Sequence, residues 1–295
     1  MNKLDACSLC GHNQFRPFRT PVYFRGDNER FSVVRCAKCG FTFTNPRPEG
    51  EALAAYYQTD DYVSHTEAKD SLVNRLYLAV RQWALAQKEK HIKKSLGFRG
   101  KLLDFGAGTG AFLQYAQQRG WKVWGTEPDE GARQLAKEKG VEIWAPEDDR
   151  LEGQNFDVIT LWHVLEHLPD LQGDFARLKG LLQANGVLVI AVPNHESWDA
   201  RIYKDHWAAW DVPLHLSHFR KADIKNLAHY HGMEVVEIKN MPFDAFYVAM
   251  LSEQIKSGKT NLPLAFVKGL ISNLSSLGRP NMSSLIYTLR LRSSH

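Results

Sequence analysis

The run Lys101-Leu102-Leu103-Asp104-Phe105-Gly106-Ala107-Gly108-Thr109-Gly110 constrains the fold of this chain more than any other feature. A short apolar segment enters a turn with glycine at alternate positions, and a helix-compatible stretch follows. Glycine adopts positive φ at little steric cost, and its missing Cβ lets a ligand approach the backbone at a helix N-terminus. The segment reads as a strand, a tight turn and a helix. Beyond it, strand patterns at 122–126, 141–144, 157–162, 186–192 and 233–238 alternate with helical patterns at 111–119, 129–139, 171–182 and 222–231. Such alternation predicts an α/β fold with a parallel sheet and helices on both faces. Glu127 ends the second strand, 17 residues after Gly110. An acid at that strand tip can accept hydrogen bonds from both hydroxyls of a ribose.

The dinucleotide fingerprint spaces its glycines as G-x-G-x-x-G. This turn reads G-x-G-x-G, with Asp104 two residues ahead. The pattern resembles motif I of the class I S-adenosylmethionine-dependent methyltransferases. Asn155-Phe156-Asp157-Val158-Ile159 looks like the strand-four motif of that family. Leu161-Trp162-His163-Val164-Leu165-Glu166-His167-Leu168-Pro169-Asp170 looks like the loop after it, and Gly186-Val187-Leu188-Val189-Ile190 like strand five. The resemblance covers residues 101–238. It implies a Rossmann-like seven-stranded sheet that binds S-adenosylmethionine through Asp104, Gly106, Ala107, Gly108, Gly110, Glu127, Pro128 and His163. Tyr62, with Tyr57, would belong to a lid over the cofactor or to core packing. Where many members carry an acid that meets adenine, this chain has Glu147 and Asp148, and a backbone carbonyl is the alternative. Asp129 reads as a helix cap.

All four cysteines lie in the first 39 residues, as Cys7-x-x-Cys10 and Cys36-x-x-Cys39, each pair followed by glycine. Two residues between thiolates let both face one tetrahedral Zn²⁺, and four thiolates close the coordination shell, so the zinc would be structural. The spacing predicts a zinc ribbon with strands near 14–19 and 30–35. Two disulfides or a redox pair are the alternative. They are weaker because the remaining 256 residues hold no cysteine and the N-terminus has no apolar signal segment. A reducing, cytoplasmic setting is expected. No run reaches the ~18 apolar residues of a membrane span.

Asn45-Pro46-Arg47-Pro48 breaks regular structure after the ribbon. The expected organisation is a ribbon over 1–48, a helical bridge or lid over 49–100, a cofactor-binding core over 101–240, and a helical C-terminal extension over 241–295. The bridge contains an amphipathic helix over 71–96. The extension contains an apolar docking helix beginning at Leu262, for which a membrane-surface role is the minority reading.

Residues 195–219 hold four histidines and three tryptophans. Histidine titrates near neutral pH and is the commonest general base, and tryptophan walls exclude water. The segment 213–219 looks like a region of zinc-ribbon-bearing methyltransferases, including sugar C-methyltransferases acting on nucleotide-linked deoxysugars. In those proteins a histidine four residues before a phenylalanine lies near the substrate. This implies His215 as base, with His218 as the alternative and His167 beside the substrate pocket. Hydrogen-bonded loop residues, or a metal pair for His163 and His167, are the competing readings.

A small-molecule acceptor is the leading expectation. An RNA acceptor is second, because Arg16, Arg19, Arg25, Arg30, Arg35 and Lys38 interleave with Phe15, Phe18, Tyr23, Phe24 and Phe31. The net charge of only +4 weakens it, as does the lack of the N/D-P-P-Y/F tetrapeptide that marks exocyclic amine methylation. A non-catalytic zinc-ribbon adaptor is opposed by the intact glycines and Glu127.

Overall fold

The computed structural model describes residues 1–26, 28–57, 72–151 and 153–292, with the backbone alone over 72–77. In chain order the strands are β1 (Phe15–Arg19), β2 (Val33–Cys36), β3 (Thr42–Thr44), β4 (Lys101–Phe105), β5 (Lys122–Thr126), β6 (Phe156–Trp162), β7 (Leu182–Pro193), β8 (Ser217–His218), β9 (Met233–Asn240) and β10 (Ser284–Leu291). The helices are α1 (Glu51–Tyr57), α2 (Leu72–Leu96), α3 (Ala111–Gln117), α4 (Glu130–Glu138), α5 (Leu171–Gly180), α6 (Trp198–Tyr203), α7 (Lys221–Tyr230), α8 (Asp244–Ser257) and α9 (Leu262–Leu274). The fold is α/β and Rossmann-like. Its main sheet has the order β5-β4-β6-β7-β10-β9, and a smaller sheet has the order β1-β2-β3-β8.

The chain divides into two compact units: Met1–Gln58 with His163–Ala176 and Ile190–Tyr287, and Thr59–Trp162 with Arg177–Val189 and Thr288–His295. In the second unit β4 pairs in parallel with β5 and with β6, placing Asp104 beside Gly125 and Thr160. Leu102, Leu103, Leu113, Phe156, Val158 and Ile159 are buried there. The expected strand at 141–144 shrinks to an isolated parallel bridge between Trp144 and Thr126. Pro146, two residues on, has no N–H to offer a ladder, and Asp148 N turns back onto Ala145 O. The main sheet therefore has six continuous strands, and this bridge stands at the position of a seventh beside β5. α2 spans the expected helix without the expected amphipathic pattern: Trp83 is exposed, while Glu89 is buried and accepts from Arg99 (2.9 Å) and Trp121 Nε1 (3.1 Å).

The C-terminal region departs from the helical expectation. After α8 and α9 the chain forms β10, which takes a place in the main sheet between β7 and β9. Leu285, Tyr287 and Leu289 are buried at a period of two, a strand signature that the apolar helix before it obscures.

In the first unit, one apolar core joins Tyr23, Phe31 and Val33 of the N-terminal segment to Tyr203, Trp207, Trp210 and Val212, and to Val248, Ala249 and Ala265 of α8 and α9. At its centre lies Asp199, fully buried. Its carboxylate accepts from Trp207 Nε1, Ser272 Oγ and Ser283 Oγ, each at 2.7 Å. A buried acceptor set of this kind is costly to break, because each stranded donor loses its water without replacement, at about 1–3 kcal/mol per group. Asp199→Ala is expected to lower the thermal midpoint of the full chain by several degrees, as read by calorimetry, whereas Asp5→Ala at an exposed position should leave it nearly unchanged.

Candidate active site

In the second unit, β4 delivers the glycine turn. Gly106, Gly108 and Gly110 have φ of 74°, 53° and 71°, the left-handed region that the sequence pattern called for. Gly110 caps α3, and a Cβ there would meet Ala136 Cβ at 2.9 Å, so the turn also needs glycine for space. Gly106 N and Ala107 N both donate to Thr126 O. Glu127 is buried, and its carboxylate accepts from Gly108 N (2.8 Å) and Asp129 N (3.1 Å). Burial raises its pKa, against these two amide donors. A carboxylate offers about four lone-pair positions, so two remain for ribose hydroxyls.

Asp104 lies beneath the turn. It accepts from the Thr160 hydroxyl at 2.6 Å, and burial pushes it up to about 7. Pro128 contributes its carbonyl to Arg133 (2.7 Å), and Asp129 caps α4 by accepting from Ala132 N. Asp148 is engaged with Arg150 at 2.7 Å, and Glu147 is exposed. Tyr62 lies outside the described residues.

Two features here were not legible in sequence. Lys88 of α2 sits 4.5 Å over the Trp162 ring and lowers Asp104 by its charge. Two buried polar atoms at strand ends, Trp162 Nε1 and Thr126 Oγ1, have no hydrogen-bond partner. Orphaned polar atoms beside a left-handed glycine turn and a half-satisfied carboxylate fit a polar adenosyl ligand such as S-adenosylmethionine.

In the first unit, the loop after β6 and the loop after β7 build a histidine cluster. His163 has φ of 60°, and its ring lies between two carboxylates, Nε2 2.9 Å from Asp244 and Nδ1 3.3 Å from Glu166. Burial alone would push its pKa down, but Asp244 and then Glu166 hold the imidazolium well above the usual histidine range. Both ring nitrogens of His163 thus lie beside carboxylates.

Glu166 is fully buried, and neither oxygen makes a hydrogen bond of good geometry. Burial would raise its pKa, but His163, then His215 and His167, hold it below the ordinary carboxylate value. One donor atom each of Glu166, His167 and His215 lie within 4.8 Å of one another, a spacing also compatible with a shared cation. The His167 and His215 rings meet edge to face at 4.6 Å. His215 Nδ1 donates to Ala209 O at 3.0 Å, which assigns the lone pair to Nε2, 4.0 Å from Asp211. His167 Nδ1 faces Leu214 O (3.1 Å) and Tyr57 Oη (3.0 Å). Burial first, then the charge of His215, pushes His167 down to about 4.

His218 plays another part. Its Nε2 donates to Thr44 Oγ1 (3.0 Å), whose hydroxyl donates to His215 O (2.8 Å). It is buried, and burial holds it well below the histidine range. Through Thr44 its ring is linked to the His215 backbone.

The four cysteines come together in the first unit. Cys7 and Cys39 sulfurs are 3.7 Å apart, as are those of Cys10 and Cys36, and all four lie within 4.8 Å of one another with no disulfide. Four free thiols at that spacing could hold one tetrahedral cation. The basic and aromatic residues nearby are largely committed internally. Arg25 forms a bidentate pair with Asp211 (2.9 and 3.2 Å), Arg35 covers Phe18 at 3.7 Å, and Phe31 and Tyr23 are core.

Residues 75–238, more than half of the chain, match the family model Methyltransf_23, described as a methyltransferase domain. The chain belongs to this family. The glycine turn, Glu127 and the 155–170 segment all fall within the matched residues. Among curated relatives, a ubiquinone biosynthesis O-methyltransferase of Haemophilus ducreyi is 37% identical over 110 residues, covering 33% of this chain and 47% of that protein. The C-methyltransferase NovU of Streptomyces niveus is 23% identical over 261 residues, covering 80% of this chain and 57% of that protein. The chain thus spans about half the length of the first of these relatives. A solved structure of magnesium protoporphyrin IX methyltransferase from Synechocystis PCC 6803 shares the fold, with a TM-score of 0.51 at 13% identity over 84% of this chain and 100% of that one.

The buried neutral histidines set an acid limit on stability. His167 titrates near 4 and His195 near 3 in the folded chain, both lowered by burial, against 6.5 when unfolded. Below pH 6.5 the unfolded chain takes up protons that the folded chain refuses, so stability falls as pH drops toward 4. A urea-denaturation series from pH 7 to pH 4 should show this loss, and His195→Gln should flatten it.

Proposed function

We propose that this chain is an S-adenosylmethionine-dependent methyltransferase whose acceptor is a small molecule carrying phosphate, with His215 as general base and a structural zinc on Cys7, Cys10, Cys36 and Cys39. The cofactor, when bound, supplies an electrophilic methyl group, so no covalent enzyme intermediate is required. Glu127, Gly106, Gly108 and Gly110 would hold its ribose and lie close to its backbone-facing side. His215 Nε2 carries the free lone pair and takes the acceptor proton. Glu166, buried and ionised, stabilises the imidazolium that results, and His163 with Asp244 keeps Glu166 ionised and in place.

The observation that carries the acceptor reading is a cavity of about 270 Å³ in the first unit. Arg19, Arg35 and Arg201 line it, opposed by Glu196, and Phe18, His195 and Trp210 form aromatic walls. Planar guanidinium groups suit phosphate oxygens, and rings of this kind suit a base or another flat group. Such a lining favours a nucleotide-linked acceptor, in line with the sugar C-methyltransferase resemblance, over an unphosphorylated quinone precursor. RNA is the weaker reading, because Arg25 is paired with Asp211 and the overall charge is small. The free thiols favour a cytoplasmic setting.

Titration calorimetry of the full chain with S-adenosylmethionine tests the cofactor site. Glu127→Ala is expected to weaken binding by about tenfold or more, since two ribose hydrogen bonds are lost. His215→Gln should keep cofactor affinity and lower turnover by about 10²-fold or more; unchanged turnover would sink the assignment. A nucleoside diphosphate should bind the wild type and bind Arg35→Ala more weakly. Failure of that step removes the phosphate-bearing acceptor alone. Elemental analysis of the purified chain should show one zinc per chain, reduced in Cys36→Ser, and chelation should lower the thermal midpoint.

A further inference from the structure

Helix α9 is turned inside out. Its inward stripe is Ala265, Gly269, Ser272 and, two residues past its end, Ser276, spaced i, i+4, i+7, i+11 and all buried. A Cβ at Gly269 would come within 2.7 Å of the Phe246 ring, so α8 and α9 approach as closely as glycine permits. The large apolar residues face outward: Leu262, Phe266, Val267, Leu270, Ile271, Leu274 and Leu277 are exposed, Phe266 by 60% and Leu277 by 73%. A helix of a globular protein ordinarily does the reverse, burying its large residues and exposing its small ones. An outward row of this size marks an interaction surface.

The charge around this face decides its occupant. Residues 254–295 contain no aspartate or glutamate. Exposed Lys256 and Lys259 precede the N-terminus of α9, and exposed Arg279 follows its C-terminal end. A second copy docking through a two-fold axis would set these cations against their own kind. An anionic surface would complement them, and among the described residues no helix is long and apolar enough to cross a membrane. We infer that the outward face of α9 seats this protein on the surface of an anionic lipid bilayer. The leucines and Phe266 enter the acyl boundary to a depth of about 5–10 Å, and the flanking cations meet lipid phosphates.

Cosedimentation of the full chain with vesicles tests the inference. It should pellet with vesicles of equimolar phosphatidylglycerol and phosphatidylcholine and stay largely in solution with phosphatidylcholine alone. Phe266→Glu/Leu270→Glu should reduce pelleting by about tenfold or more, with the thermal midpoint and cofactor affinity unchanged. Lys256→Glu/Lys259→Glu should reduce it several-fold, and added salt should reduce wild-type binding. If the double apolar variant is poorly folded, Leu277→Glu at the end of the face serves the same purpose. No vesicle binding, equal binding to both vesicles, or full binding by the apolar variants overturns the inference. Concentration-dependent dimers abolished by the same variants, without vesicle binding, would assign the face to a second copy.

Discussion

The two-residue ladder between β3 and β8 sets the geometry of the histidine cluster. Thr42 pairs with His218 and Phe43 with Ser217, so the loop that follows β7 is held as the fourth strand of the cysteine-bearing sheet. The Thr44 hydroxyl extends that hold by linking the His218 ring to the His215 carbonyl. On the other side of the sheet strands, Arg220 donates to the Cys39 carbonyl and to Asp223, and a Cβ on Gly40 would collide with the Arg220 guanidinium. The thiol cluster, the edge strand and His215 therefore form one mechanical chain. A cation binding the four thiols would stiffen it, which gives a structural metal a direct consequence for the proposed base.

The two polar centres in the chain are built on opposite electrostatic principles. Around Asp104 and Glu127, burial raises carboxyl pKa values and backbone amides offset part of the cost. Around Glu166, an imidazolium offsets the whole of it, because His163 is itself held charged by Asp244. The first arrangement presents carboxyl oxygens beside backbone amides, suited to hydroxyls. The second keeps a full negative charge in a buried place, where it acts on neighbouring rings with little screening. His195 and His218, where burial dominates, are held in the neutral form instead.

Much of the second unit was legible in the chain. Left-handed glycines, the acid at the tip of β5 and the cap at Asp129 are local requirements, each satisfied within a few residues. The functional weight of Glu166 was not legible. Its signal, a Val-Leu-Glu-His run after a strand, is visible, but nothing local shows that both carboxylate oxygens lack hydrogen bonds or that His215, 49 positions later, comes beside it. The same limit explains β10. Its period-two pattern is present, yet only the vacancy between β7 and β9 gives a final strand something to pair with.

By itself the sequence determined the α/β architecture, the cofactor turn and the set of four thiols, because short-range spacing and backbone stereochemistry settle each of these. The tertiary structure alone decided which histidine keeps an available lone pair, since that depends on carbonyls and carboxylates brought in from distant segments. It also decided which way α9 faces. The helical periodicity of residues 262–274 shows an apolar helix, but only packing against α8 reveals that the small residues go inward and the large ones are left facing out.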